Sequence, residues 1–322
     1  MQKILITGGA GFIGSNLSEY FLHKGYAVRC FDNFSTGFRK NITSFLPHPN
    51  YELIEGDIRD SEDCKRSVKE IDFILHQAAL GSVPRSIKDP NTTNEVNISG
   101  FLNMLVAARD AKVKRFIYAA SSSTYGDSDI LPKIENQIGR PLSPYAVTKY
   151  VNELYADVFS RVYGLETIGL RYFNVFGPRQ DPHGNYAAVI PLFIKKLIAH
   201  ESPIINGDGN YSRDFTYIAN VIQMNEKAMQ VKEAAALNTV YNTAVGKQTS
   251  LNDLVRLLKE LLKQYDPAIE QVKIIYGTER AGDIPHSLAS IEKARKYLHY
   301  KPTHHIYQGL KESIEWYWNN LR

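Results

Sequence analysis

Ser143-Pro144-Tyr145-Ala146-Val147-Thr148-Lys149 opens a helical stretch and sets a phenol and an ammonium four residues apart, on one helical face. Upstream, Ser121-Ser122-Ser123-Thr124-Tyr125-Gly126 follows an apolar run, so Ser121, Ser122 and Ser123 leave the C-terminal end of a predicted strand. Ligands of parallel sheets sit at that end. A phenol with a pKa near 10 must lose about three units to act as a base near neutral pH, roughly 4 kcal/mol of differential stabilisation. One unit charge about 4 Å away, at an effective dielectric of 20, is worth about that much. Tyr145 beside Lys149 is therefore a candidate base, and the Ser121 hydroxyl can share the transferred proton. Tyrosine and lysine at this spacing recur by chance on surface helices, so the pair gains meaning only from its surroundings.

Those surroundings include Gly8-Gly9-Ala10-Gly11-Phe12-Ile13-Gly14, with Gly8, Gly11 and Gly14 at three-residue spacing between a strand-like run and a helical one. Glycine permits the tight turn and a close approach of backbone to a pyrophosphate, which then meets the free N–H groups of a helix N-terminus. The second strand ends in Phe31-Asp32-Asn33. A carboxylate at Asp32 can accept both adenosine ribose hydroxyls and repels a 2′-phosphate, which favours NAD over NADP. Asp57, in Glu55-Gly56-Asp57-Ile58, stands where an adenine edge can be met, although a turn or helix-capping role suits it equally.

The elements that must carry these residues follow from periodicity. Lys3–Thr7, Ala27–Phe31, Tyr51–Ile54, Asp72–His76, Arg115–Ala119 and Glu166–Leu170 read as strands. Phe12–His23, Asn91–Ala111 and Tyr145–Tyr163 read as amphipathic helices between them. Short strands with crossover helices predict an α/β fold, a doubly wound parallel sheet covered on both faces. Beyond about Arg171 the regularity weakens, with strands at Pro203–Ile205 and Val272–Tyr276 and helices at Ala188–His200, Leu251–Tyr265 and Ile306–Asn319. This predicts a first unit over 1–172, to which a segment about 216–246 returns, and a smaller α/β unit mainly over 173–322.

The 322 residues are 43% hydrophobic and 22% charged, which excludes disorder and provides for a large core. The formal charge of +4 is scattered, so neither nucleic acid nor an anionic membrane is expected as a partner. No apolar run approaches the roughly 18 to 20 residues of a membrane span. The first strand starts almost at the N-terminus with no targeting pattern, and Cys30 and Cys64 lack metal-ligand spacing. Two inert thiols in the cytoplasm are expected, with no metal. His304-His305 shows no third ligand and reads as a solvated helix start.

Taken together, the chain resembles the extended short-chain dehydrogenase/reductase family, and within it the nucleotide-sugar 4-epimerases. The resemblance runs through the glycine motif, Asp32-Asn33-Phe34-Ser35, His76-Gln77-Ala78-Ala79, Asn97, the serine segment, Tyr145 with Lys149, Arg171-Tyr172-Phe173-Asn174-Val175-Phe176-Gly177-Pro178, Arg213-Asp214-Phe215 and Arg280-Ala281-Gly282-Asp283. It implies a Rossmann-type sheet and makes Tyr145 the base, Lys149 the group that lowers its pKa and holds the nicotinamide ribose, and Ser121 the contact to the sugar 4-OH, bordered by Ser122 and Ser123. Gly8, Gly11, Phe12, Ile13, Gly14, Asp32, Asn33, Ser35, Gly37, Asp57, Ile58, Gln77, Ala79, Asn97, Tyr172 and Val175 map to NAD. Asn174, Asn206, Arg213, Arg280 and Asp283 map to the nucleotide sugar, and Ser82 and Arg85 lie in the loop over the hexose. Guanidinium forks suit a diphosphate. A bridge from Arg213 to the adjacent Asp214 is the plainer alternative.

Relatives that dehydrate or decarboxylate the sugar carry carboxylates where this chain has Ser122 and Ser123, so the resemblance implies oxidation at C4 and return of the hydride through a 4-keto sugar. The position of Ser287 gates the hexose C2 substituent in the resembling enzymes, and a small residue there implies interconversion of UDP-N-acetylglucosamine and UDP-N-acetylgalactosamine. UDP-glucose and UDP-galactose are expected as weaker substrates. Ser287 is also spaced to cap a helix near Ile291. A UDP-uronic acid 4-epimerase, with Arg85 as the extra cation, and a non-catalytic NAD-sensing regulator are the alternatives. The resemblance further implies a homodimer through Asn91–Ala111 and Tyr145–Tyr163, whose apolar surplus includes Phe101, Met104, Leu105, Leu154, Val158 and Phe159.

Overall fold

The computed structural model describes residues 1–182, 188–279 and 284–322. Strands β1 (Lys3–Thr7), β2 (Ala27–Asp32), β3 (Tyr51–Glu55), β4 (Phe73–His76), β5 (Arg115–Ser121) and β6 (Thr167–Tyr172) form one sheet with a seventh strand, Thr239–Thr243. Every pairing in it is parallel, and the order is seventh, β6, β5, β4, β1, β2, β3. Residues alternate between its faces. Ile4 and Ile6 join Leu17 and Phe21 in one core, while Leu5 joins Phe101, Met104 and Leu105 in the other. Both faces are thus apolar, as a parallel sheet under crossover helices requires. The order reverses between β1 and β4, and the crevice at their C-terminal ends is where such sheets take ligands.

The crossovers are α1 (Phe12–His23), α2 (Ser61–Ser67), α3 (Val83–Lys88), α4 (Pro90–Asn94), α5 (Phe101–Asp110) and α6 (Pro144–Tyr163). The helix expected over Asn91–Ala111 is divided: a π-helical turn, Glu95–Gly100, joins α4 to α5 and buries Asn97 and Gly100. Tight packing explains the glycine, since a Cβ on Gly100 would lie 2.6 Å from Ile58 Cγ1. Helix α6 starts at Ser143, whose side chain accepts from the Ala146 amide, has Pro144 in its first turn, and ends at Gly164 in the left-handed region (φ 69°).

The apolar surplus assigned to these helices needs correction. Phe101, Met104, Leu105 and Phe159 are buried within the chain's own core. Leu154 and Val158 remain 49% and 40% exposed and continue to Val162 at 64%.

Helix α7 (Val189–Ile198), α9 (Leu251–Leu262) and α11 (Ile306–Leu321) enclose a second core containing Ile194, Leu197, Leu258, Leu310 and Tyr317. Ile204–Asn206 pairs in parallel with Ile275–Gly277, and Ser212–Arg213 pairs antiparallel with Thr249–Ser250. Helix α8 (Ile218–Gln230) and α10 (Glu292–Leu298) instead give Met224, Ala228, Ala294 and Leu298 to the core on one face of the large sheet. Among the described residues, no helix is long and apolar enough to cross a membrane.

Candidate active site

The turn from β1 into α1 lines a cleft of about 300 Å³ at the reversal of strand order. Gly8 adopts φ +65°, and a Cβ on Gly14 would lie 2.2 Å from the Gly8 carbonyl oxygen. The helix can therefore press directly on the turn. Gly11, the N-cap of α1, offers no side chain to the first-turn amides, which suits a phosphate at this helix end. Asp32, at the end of β2, accepts from the Ala10 amide (2.9 Å) and the Phe34 amide (2.8 Å). Burial raises its carboxyl pKa against those bonds. Asp57 accepts from the Asn33 amide nitrogen and from Arg59, and the hydrogen bonds from Arg59 pull its carboxyl down to about 2.

Of the residues expected at NAD, the structure brings Gly8, Gly11, Phe12, Ile13 and Gly14 together with Asp32, Asn33, Ser35 and Gly37 in this cleft. Asp57, Ile58, Gln77 and Ala79 complete its wall. Four expected residues stand elsewhere. Asn97 is buried behind the cleft, where its side chain accepts from the Leu80 amide (2.8 Å) and donates to Thr148 Oγ1 (3.1 Å). Tyr172 donates its hydroxyl to Gln77 Oε1 (3.0 Å), so it touches the wall through that side chain. Val175 lines a second pocket. Lys149 is buried and donates to the Ala119 carbonyl (2.9 Å). Thr36, Gly56, Leu80 and Val96 line the cleft without having been recognised in the sequence. Their only signal is adjacency to residues that were.

The serine segment forms a short turn off β5. Ser123 donates both its amide (3.2 Å) and its hydroxyl (2.9 Å) to Ser121 Oγ, which orients the Ser121 hydroxyl. Tyr145 is half-buried, and its phenol is raised by burial while a hydrogen bond with Ser121 opposes the rise. The lowering expected from Lys149 is not what these side chains produce alone. Burial pulls the Lys149 ammonium down to about 8, opposed by the nearby Glu153 carboxylate. Two cations in the site, Lys149 and a nicotinamidium, are what the phenolate would need.

The second pocket, also about 300 Å³, gathers Asn174, Asn206 and Arg213 with the apolar Phe176, Ile190 and Phe215. Arg213 Nη1 donates to the Ser212 and Pro285 carbonyls. The Asp214 carboxylate instead accepts from the Val245 (2.9 Å) and Gly246 (3.0 Å) amides, which disfavours the local ion-pair reading. Ser287 does not cap a helix: the N-cap of α10 is Ile291 and takes no side chain, whereas the Ser287 amide donates to the Ser212 carbonyl (3.0 Å), beside Arg213. Ser82 serves as the N-cap of α3, accepting from the Arg85 amide (3.2 Å). The Arg85 guanidinium, half-buried, has no ion pair among the described residues. Arg280 and Asp283 lie outside the described residues. His305 starts α11, its amide donating to Gln308 Oε1, and His304 bonds Glu312.

The uncapped end of α1 and the strand-end carboxylate of Asp32 suit a dinucleotide in the first cleft, and the second pocket is polar enough for a further phosphate-bearing ligand. The model of the NAD dependent epimerase/dehydratase family matches residues 4–244. The chain belongs to that family. It is 38% identical over 321 residues, 99% of each chain, to a putative UDP-glucose 4-epimerase of Methanocaldococcus jannaschii. It is similar to the solved UDP-N-acetylglucosamine 4-epimerase of Methanobrevibacter ruminantium, in complex with UDP-N-acetylmuramic acid, with TM-score 0.90, 37% identity and 98% of each chain covered. A UDP-glucuronic acid 4-epimerase of Bacillus cereus, solved with a fluorinated UDP-glucuronic acid and NAD, matches with TM-score 0.88, 30% identity and full coverage of both chains. NAD is the cofactor of this enzyme, and the glycine turn, Asp32 and the free end of α1 fit it.

Proposed function

We propose that this UDP-sugar 4-epimerase interconverts UDP-N-acetylglucosamine and UDP-N-acetylgalactosamine, with UDP-glucose and UDP-galactose as poorer substrates. The observation that carries the choice is Ser287, a small side chain held by its amide on the strand that bears Arg213. That arrangement leaves room at C2 and offers a hydroxyl to an acetamido oxygen. Residues 1–172, with the returning segment 216–246, hold NAD, and 173–322 mainly hold the nucleotide sugar. Asn174, Asn206 and Arg213 take the nucleotide diphosphate.

Bound NAD supplies a hydride acceptor and donor at the sugar C4. Tyr145 removes the 4-OH proton, and the Ser121 hydroxyl, oriented by Ser123, shares it. Lys149 holds the ribose and stabilises the phenolate. The 4-keto sugar turns about its bond to the anchored diphosphate and receives the hydride on its other face, so no net redox occurs. The diphosphate contacts bind ground state and transition state alike, leaving the hexose free to turn.

A uronic acid substrate is the second reading, favoured by the Arg85 guanidinium, which has no ion pair among the described residues. Ser121, Tyr145 and Lys149 together argue against a purely sensory role. The Leu154–Val158–Val162 stripe supports a homodimer, and the free thiols Cys30 and Cys64 support a cytoplasmic protein. The purified enzyme, given a panel of UDP-sugars without added cofactor, should turn over the acetylated pair fastest. Ser287→Tyr should depress that activity far more than activity on UDP-glucose. Equal losses on both would remove Ser287 as the gate.

A further inference from the structure

Helix α6 carries the base, and its first turn is satisfied in an unusual way. Pro144 has no amide hydrogen. The Ala146 amide donates to Ser143 Oγ (3.1 Å) and the Val147 amide to the Ser143 carbonyl (3.0 Å), both local capping bonds. The Tyr145 amide alone is satisfied from outside the helix, by Ser86 Oγ at 3.0 Å. Ser86 is wholly buried, and its hydroxyl donates in turn to the Val83 carbonyl (2.7 Å), which fixes the direction of its lone pairs.

Ser86 belongs to α3, the helix that begins at Ser82 and bears Arg85. Its own amide donates to the Ser82 carbonyl (3.1 Å), so the hydroxyl stands on a formed helical turn. The other side of the Tyr145 residue is held as well: its carbonyl accepts from Thr148 Oγ1 (2.8 Å), which Asn97 contacts. The backbone of the base is therefore gripped on both sides. Among the described residues, the Ser86 bond is the one hydrogen bond that links this peptide unit to α3, the helix that bears Arg85.

We propose that Ser86 is a positioning residue for the epimerisation, fixing the Tyr145 peptide unit to the Arg85-bearing helix through one buried hydrogen bond. The inference rests on Tyr145 being the base. A phenol must meet the 4-OH within hydrogen-bond reach on both half-reactions, and small displacements of such a group cost heavily in rate. Ser86 holds the α6 terminus in register with the substrate-covering helix, so its loss affects the reacting geometry and leaves the diphosphate anchors in place.

The test compares Ser86→Ala with Ser143→Ala, each removing one buried serine acceptor from the same helix end. Both variants are assayed for kcat, KM and bound NAD at a temperature well below either unfolding midpoint. Ser86→Ala should lower kcat on the order of tenfold with KM nearly unchanged. Ser143→Ala should lose comparable stability and much less kcat, because the Tyr145 amide keeps its partner. Equal kcat losses in the two variants would reduce Ser86 to a cap and overturn the proposal, as would a Ser86→Ala enzyme with normal kcat. Tyr145→Phe, measured alongside, separates the two readings: turnover surviving in that variant refutes the base itself, whereas a dead Tyr145→Phe with an unimpaired Ser86→Ala refutes only the inference drawn from Ser86.

Discussion

Glu153→Gln should damage this enzyme twice, once in stability and once in its pH profile. Arg171 grips Glu153 with two bonds, Nε to Oε1 at 2.8 Å and Nη2 to Oε2 at 2.7 Å, and the two side chains are only 3% and 8% exposed. Removing one partner of a buried pair strands the other charge, at a cost of about 3–5 kcal/mol. That is a large fraction of the roughly 5–15 kcal/mol that holds a folded protein together. The second effect reaches Lys149, one helical turn before Glu153. A charge roughly 6 Å away at an effective dielectric of 20 is worth about 3 kcal/mol, an upper bound because Arg171 partly cancels it. Burial already holds Lys149 at about 8, and Glu153 supports its ammonium. His76, another titratable neighbour, is pushed down to about 3 by burial and so stays neutral. Activity that needs the ammonium is lost as pH rises through the Lys149 pKa, so removing Glu153 should move that loss to lower pH. Urea denaturation measures the first effect and kcat against pH the second. The pair replacement Glu153→Leu with Arg171→Met should recover most stability while leaving the alkaline limb displaced. An alkaline limb that stays in place in both variants would refute the reasoning about Lys149, whatever happens to stability.

Tyr145→Phe should retain fold and NAD but lower turnover by about 10² to 10⁴, the ordinary worth of a general base; rapid-quench or product analysis against wild type checks it. Denatured enzyme should release NAD and not NADP, because Asp32 stands buried in the wall of the cleft, where a carboxylate would repel a 2′-phosphate; chromatography of the supernatant decides. Leu154→Glu with Val158→Glu should convert a dimer into a monomer in light scattering without loss of secondary structure, since both side chains are substantially exposed on the isolated chain.

Local chemistry was readable where it depends on nearest neighbours in sequence. The glycine turn, Asp32 at a strand end and the Tyr145–Lys149 helical pair each declare themselves through spacing; the fold brings the glycines and Asp32 into one cleft and sets Tyr145 and Lys149 on α6, with Lys149 bonded to the Ala119 carbonyl. The seventh strand, Thr239–Thr243, was not read as a strand, because its Asn242 is polar and points to no obvious face in isolation. In the fold that asparagine is fully buried: Tyr125 donates to its side-chain oxygen (2.7 Å), and its side-chain nitrogen donates to the Lys133 and Ser290 carbonyls. Sequence pattern cannot reveal a buried polar residue whose partners lie some 48 to 117 positions away. Asn97 has partners of the same distant kind. It was assigned to the cofactor from its motif, yet the π-helical turn buries it between Leu80 and Thr148.

Four such polar residues share a role. Arg171, Asn97, Asn242 and Tyr172 are each buried or half-buried, and each spends polar atoms on protein groups: Asn97 and Tyr172 on Leu80 and Gln77 in the wall of the cleft, Arg171 and Asn242 on groups deeper in the fold. A buried polar group left unpaired costs about 1–3 kcal/mol, so such residues persist only where every bond is made. Arg171 shows what that secures. One side of its guanidinium holds Glu153 on the catalytic helix, another donates to the Glu135 carbonyl (3.0 Å), and its face lies 4.8 Å from the Tyr125 ring centroid. Tyr125 closes the turn that begins at Ser121, and Glu135 Oε1 accepts from the Asn242 amide (2.9 Å). A single buried cation thus relates the helix of Tyr145 and Lys149 to the turn of Ser121. On the proposed mechanism those hydroxyls must keep a fixed separation through two hydride transfers in opposite senses, and this network would hold it from outside both pockets.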